Sequence, residues 1–274
     1  MTNDFLTVRN LRKVHNTGTA GEVVALADLS FSLVEGEFAT IVGSNAAGKT
    51  TLFNAIAGSL TLTSGDIVVD GKSIIKLPEY MRSRFISRVR QNPNDNAMVS
   101  MTLAENLAMA KLKDANAGLW KGVKKEWREE FVTLLKPFGL DLEKRLDDKI
   151  DLLSGGQKQV VALLMATIVK PKLLLLDEHT AALDPRVSKK VLEITDRIVK
   201  DSGVTTLMIT HNIHHAIEFG NRLILLDRGK VGFEASGEQK RSLSVVDIVE
   251  HLESKIAEFE EDISVGEVQG LPAH

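Results

Sequence analysis

Apolar and polar positions along the chain fall into two rhythms. From Phe5 to Val14 and from Val23 to Val34 apolar residues alternate with polar ones, which predicts two strands of an N-terminal antiparallel sheet joined by a loop from His15 to Gly21. After the Glu35-Gly36 turn, Phe38, Ile41 and Val42 form an apolar strand. It runs into small residues and then a helical pattern to Ala57. Asp66 to Val69 is a short strand, Asp70-Gly71 a hairpin turn, Pro78 to Arg84 a short helix with proline at its first position, and Phe85 to Arg90 another strand.

Beyond Gln91 the rhythm changes. Asn92 to Val99 reads as a polar loop, and from Thr102 the spacing turns helical, with Thr102 and Glu105 placed as a capping box. This helical character continues to about Leu135, and the block shows no strand signal. Alternation of strand and helix then resumes. Gln157 to Val169 is a buried helix, Lys172 to Leu176 a strand apolar on both faces, and Asp184-Pro185 opens a helix to about Asp201. Thr205 to Thr210 is a strand, Asn212 to Phe219 a helix stopped by Gly220, and Arg222 to Asp227 with Lys230 to Phe233 a hairpin. A helix and an acidic tail are expected after Ser244. The implied organisation is an α/β core from residues 1–91 and 157–243, carrying the antiparallel β-subdomain. A helical subdomain, 92–156, is inserted into it, and 244–274 forms a C-terminal helix and tail.

Composition narrows the class of function. A chain of 274 residues supports one large domain with an inserted part, and a net charge of −3 gives no electrostatic case for nucleic acid as a partner. Cysteine is absent, which removes disulfides and thiolate metal sites. The N-terminal stretch has neither the basic nor the apolar region of a signal peptide, and Val160 to Val169 is about half the length of a bilayer-spanning helix. The arginines from Arg82 to Arg90 read as a solvated face.

The chemistry begins in the small-residue loop. Gly43, Ser44, Asn45, Ala46, Ala47, Gly48, Lys49 and Thr50 spell G-x-x-x-x-G-K-T between a strand and a helix, followed by Thr51. Small side chains let backbone N–H groups and a helix N-terminus wrap a polyphosphate. Lys49 is placed to reach the β- and γ-phosphates and Thr50 to ligate Mg2+, so the expected ligand is ATP or another nucleoside triphosphate.

Ser154, Gly155, Gly156 and Gln157, within L-S-G-G-Q, form a second capped helix start suited to an anion. Asp177 and Glu178 end an apolar strand, where open α/β sheets bind their ligands. Asp177 is placed to hold the metal through water, and Glu178 to orient or deprotonate an attacking water. Gln91 offers the metal an amide oxygen. His211, at the end of another strand, is placed to contact the γ-phosphate and the water, while His214 and His215 read as surface helix residues.

Together these stretches, G-S-N-A-A-G-K-T, Gln91, L-S-G-G-Q, L-L-L-L-D-E, A-A-L-D from Ala181 to Asp184, and His211, resemble the nucleotide-binding subunit of an ATP-binding cassette transporter over roughly Phe5 to Val245. L-L-M-A-T and L-L-L-L-D-E-H-T-A-A-L-D-P are similar to a bacterial importer branch that accompanies solute-binding proteins of an amino-acid type.

The resemblance implies that two copies stack head to tail, each ATP lying between the phosphate loop of one and Ser154 to Gln157 of the other. In that arrangement Asp184 acts across the interface. It also implies that the Gln91 loop and the helical block receive a transmembrane permease, and that the chain works as an ATPase on the cytoplasmic face of the membrane. A soluble cassette acting on an assembly such as an iron–sulfur scaffold is the alternative. Three positions depart from the family pattern. Ala46 stands where glycine is usual inside the loop, His15 where an aromatic ring stacks on adenine, and His179 where proline follows the glutamate.

Overall fold

A computed structural model of the chain describes residues 4–113 and 122–251. In chain order its strands are β1 (Asp4–His15), β2 (Val23–Val34), β3 (Phe38–Gly43), β4 (Ser64–Val69), β5 (Lys72–Ser73), β6 (Ile86–Val89), β7 (Leu173–Asp177), β8 (Thr205–Ile209), β9 (Arg222–Asp227) and β10 (Lys230–Ser236). The helices are α1 (Lys49–Ala57), α2 (Glu79–Arg82), α3 (Leu103–Lys111), α4 (Lys125–Leu135), α5 (Gly155–Thr167), α6 (Pro185–Ser202), α7 (Ile213–Glu218) and α8 (Gly237–Ser242).

Two sheets result. The N-terminal one runs β2-β1-β4-β5, with β1 antiparallel to both β2 and β4. The central one runs β10-β9-β3-β8-β7-β6 and is parallel except for β10, which turns back on β9. Its parallel strands are nearly all apolar because both faces are covered; Leu173 to Leu176 and Thr205 to Ile209 are buried throughout.

On one face lies α1, whose Leu52, Phe53 and Ile56 join Leu6, Leu11, Leu29 and Leu33 of the N-terminal sheet in one core with Ile41, Leu175 and Ile209. On the other face a second core takes Leu174, Leu176 and Met208 together with α3, α4, α5 and α6. Period-2 alternation along β7 explains the division, since odd and even leucines point to opposite cores.

The block between β6 and α5 is helical among the described residues apart from one isolated bridge, Thr102 to Lys149. Its capping box forms as the spacing predicts: the Thr102 hydroxyl accepts from Glu105 N, and the Glu105 carboxylate accepts from Thr102 N at 2.7 Å. Asn106, fully buried, ties this helix start to the incoming chain through Met98 N and O.

Several details differ from the pattern reading. The predicted polar loop holds a 3-10 turn, Pro93–Asn96, and α5 begins at Gly155 rather than Gln157. Pro78 is the cap of α2 rather than its first turn. Helix α8 had no recognised signal; it is anchored by Lys240, whose ammonium is buried against Phe219 O, Gly220 O and Thr40 Oγ1. Burial pushes that group down to about 7. Residues 245–251 are helical, and the expected tail beyond them lies outside the described residues.

The arginines 82–90 are not one solvated face. Arg82 is buried and donates to the carbonyls of Ala55 and Ile56 at the end of α1 and to those of Ile75 and Leu77. Helix ends leave such carbonyls unpaired, and a guanidinium fork satisfies several at once. Arg88 is also largely buried, whereas Arg84 and Arg90 are exposed.

Candidate functional site

Because β3, β6, β7 and β8 are parallel, the segments that follow them leave the same edge of the sheet. The register is close: Ile41 and Asp177 both pair with Ile209. The phosphate loop, the two carboxylates, His211 and Gln91 therefore meet at the carboxyl ends of neighbouring strands.

The loop from Gly43 to Gly48 is wedged between β2 and the β9–β10 turn. Gly229 N donates to Ala47 O at 3.0 Å, and a Cβ on Gly48 would sit 2.5 Å from Ala25 O. Gly48 has φ +96 and caps α1, so both its space and its backbone require glycine. Ala46 lies in the left-handed region at φ 66. The methyl group is accepted at a cost of about 1 kcal/mol. We expect Ala46→Gly to raise unfolding stability by no more than about 0.5 kcal/mol in urea titration, since the glycine removes strain but gains freedom in the unfolded chain.

Lys49 is buried inside its own loop, with Nζ donating to Gly43 O and Ser44 O, each at 2.9 Å. Burial lowers its pKa, and the Glu178 carboxylate works against that shift. A phosphate would offer this ammonium a charged acceptor in place of two carbonyls, and such bonds are roughly twice as strong. Thr50 is exposed at the first turn of α1 and Thr51 half-buried.

Glu178 follows β7 in a left-handed conformation, φ 48, pinned by Glu178 N to Ile209 O at 3.1 Å and by Ala181 N to Glu178 O at 2.9 Å. Its carboxylate meets His211 Nε2 at 2.6 Å. The side chain of Glu178 is 12% exposed and that of His211 47%, so the pair lies at the mouth of the site. A cavity of about 580 Å3 adjoins it, lined among others by Glu178, Ser188, His211 and His215. His214 is exposed as expected; His215 is partly buried, which lowers its pKa.

A second cavity, of about 620 Å3, is lined among others by Asn54, Ser59, Arg88, Gln91 and Asp177. Gln91 is exposed there. Asp177 Oδ2 is engaged by the Arg88 guanidinium, whose Nη1 donates to Asn54 Oδ1 at 2.8 Å.

Ser154 caps α5, its hydroxyl accepting from Gln157 N at 3.3 Å while Gln157 Oε1 accepts from Ser154 N at 3.0 Å. Gly155 is exposed, and Gly156 is buried where α5 crosses α6; a Cβ there would meet Val187 Cγ1 at 2.3 Å. Asp184 caps α6, accepting from Arg186 N and Val187 N at 3.2 and 3.1 Å. His15 ends β1 opposite Val23 and is half-buried.

One residue near this edge, Gln159, escaped the sequence reading, and a second, His179, was marked there only as a departure from the family pattern. Gln159 is fully buried on α5 and donates through Nε2 to Arg90 O at 3.3 Å and to His179 O. One amide thus ties α5 to the residues preceding Gln91 and following Glu178. Its only advance signal is its place on the apolar face of α5, where a polar side chain needs internal partners.

His179, 2% exposed, meets Thr195 Oγ1 at 3.1 Å. The Thr195 hydroxyl donates to Val191 O at 2.8 Å, an arrangement that suits a hydrogen on His179 Nε2. Burial, aided by His215, lowers its pKa to about 4. The unfolded chain binds a proton that the folded one refuses, so stability rises with pH between about 4 and 6.5. We expect a loss approaching about 3 kcal/mol as pH falls through that window, and a visibly shallower slope of melting temperature against pH in His179→Gln.

Comparison with known proteins agrees with this geometry. A family model described as ABC transporter matches residues 26–181. A tyrosine transport ATP-binding protein of Clostridioides difficile is 42% identical over 252 residues, which is 91% of this chain and 99% of that protein. A spermidine/putrescine import ATP-binding protein of Mycoplasma capricolum is 34% identical over 84% of this chain, which spans 61% of that longer relative. Among solved structures, an ATP-binding cassette in a dimeric post-hydrolysis state with ADP and Pi is similar at a TM-score of 0.70 and 28% identity, over 84% of this chain and 98% of that one.

Proposed function

The chain belongs to the ABC transporter family as an ATP-binding subunit with ATPase activity, and from that premise we propose that it drives import of an amino-acid-type solute through a separate permease. The observation that carries the hydrolytic reading is the Glu178–His211 pair at 2.6 Å, at the ends of adjacent strands and close enough to Lys49 to act on its charge. Backbone amides of 43–48 and the start of α1 wrap the phosphates, and Lys49 turns from its carbonyl partners toward the β- and γ-oxygens. Glu178 accepts a proton from the attacking water, and His211 holds that carboxylate in place and reaches the γ-phosphate.

The donor set of Thr50 hydroxyl, Asp177 carboxylate and Gln91 amide oxygen is made of hard oxygen atoms and fits Mg2+. When bound, Mg2+ would screen the charge on the phosphates. We assign Ser154 to Gln157 to the γ-phosphate of a second copy. Support comes from the exposed position of Ser154 and Gly155 at a helix start and from the dimeric state of the similar cassette. Asp184 would face the same interface, and His15 the adenine.

The whole-length match to a tyrosine transport protein favours an aromatic amino acid as the solute, with a solute-binding protein delivering it at the other side of the membrane. Among the described residues no helix is long and apolar enough to cross a membrane. Proteoliposomes holding this chain with its co-purified permease, supplied with the cognate solute-binding protein, should take up labelled tyrosine only with internal ATP. Uptake of a polyamine in place of an amino acid would overturn the solute assignment.

A further inference from the structure

Arg88 stands on the edge strand β6, paired in register with Leu175 of β7. Alternation puts Ile86 and Arg88 on the face covered by α1, and it puts Leu175 and Asp177 on that same face. The guanidinium therefore reaches Asp177 Oδ2 with one nitrogen and Asn54 Oδ1 with another, the latter at 2.8 Å. Asn54 lies one helical turn after Thr50 on α1, so this cation sits among the elements that carry Thr50 and Asp177.

As pure structural glue the pair is incomplete. The side chains of Arg88 and Asp177 are 16% and 14% exposed, and Arg88 Nε is buried with no hydrogen-bond partner among the described residues. A buried ion pair with an unsatisfied donor gives back little of its desolvation cost.

We propose that Arg88 is a positioning residue that supplies the counter-charge of Asp177 until a divalent cation arrives with ATP, so that loading the metal is an exchange of guanidinium for cation. This inference rests on the reading of Asp177 as the metal-holding carboxylate. The guanidinium retains Asn54 Oδ1 after the exchange and stays near the site, so its positive charge continues to oppose the cation. Removing that charge makes the metal bind more tightly.

The test measures ATP affinity of the full chain twice, in EDTA and with saturating Mn2+, and takes the ratio as the metal's contribution. In Arg88→Met the ratio rises about fivefold or more, and the rise is read as tighter ATP binding in Mn2+ rather than weaker binding in EDTA. Arg88→Lys, which keeps the charge, stays within about twofold of the wild type. Arg88→Gln, which keeps a donor for Asn54, behaves as the methionine variant does and serves if the latter does not fold. An unchanged or smaller ratio in the neutral variants overturns the proposal. Asp177→Asn separates the two readings. If its ratio collapses while the Arg88 variants match the wild type, only the role of Arg88 fails; if its ratio is unaltered, the metal assignment of Asp177 fails first.

Discussion

Glu178→Gln lowers ATP turnover by about two to four orders of magnitude while leaving ATP binding intact. The amide has nearly the shape of the carboxylate, so the backbone bonds of residue 178 to Ile209 O and from Ala181 N persist, and a polar contact with His211 survives. What is lost is the ability to take a proton from water. If two copies close around ATP, the variant accumulates in the closed state because the step that reopens it is blocked. At millimolar ATP and Mg2+ it should elute from size exclusion at twice the monomer mass, with tightly held ATP. Turnover close to the wild type would remove Glu178 from the reaction, and a monomeric variant would remove the composite site. The left-handed backbone at Glu178 is an expensive conformation for a side chain of this size, and it is held by the two backbone bonds that the variant keeps.

Lys49→Ala weakens ATP binding about tenfold or more and lowers turnover by about two to three orders of magnitude, the scale of removing one charged donor from a developing anion. Its stability is expected to change by only about 1 kcal/mol. Two hydrogen bonds to Gly43 O and Ser44 O disappear, each with a net contribution of about 0.5–1.5 kcal/mol. The burial that depresses the lysine's pKa is relieved at the same time. A nucleotide titration beside a thermal melt therefore separates a lost ligand contact from a lost fold. Full ATP affinity in the variant would rule out Lys49 as a phosphate contact.

The strong local signals fell where short-range physics decides structure. The phosphate loop, the Thr102–Glu105 capping box, the Ser154 cap, the Asp184-Pro185 helix start and the Asp70-Gly71 turn depend on a few adjacent residues, and each forms where the spacing puts it, although α5 starts two residues earlier than expected. The apolar runs of β7 and β8 carry the mark of strands covered on both faces. Arg88 was illegible because an arginine on an edge strand looks the same whether it faces water or a carboxylate on the neighbouring strand. Arg82 was misread for a related cause: the carbonyls it satisfies include those of Ala55 and Ile56, far from it in sequence. Helix α8 has no apolar stripe of its own; its one deep anchor is a lysine, the residue type that pattern reading assigns to solvent.

From the amino-acid order alone came the class of fold, the phosphate-binding loop, the acidic strand end and the family, since these rest on contiguous residues whose spacing has one physical use. Tertiary structure alone decided that Glu178 and His211 form a pair, that Asp177 answers to Arg88, and that Gln159 and His179 are locked inside. Those contacts join residues from different strands and helices. Which of them meet depends on strand order and register, and these are set by how the two cores close over the central sheet rather than by any local preference.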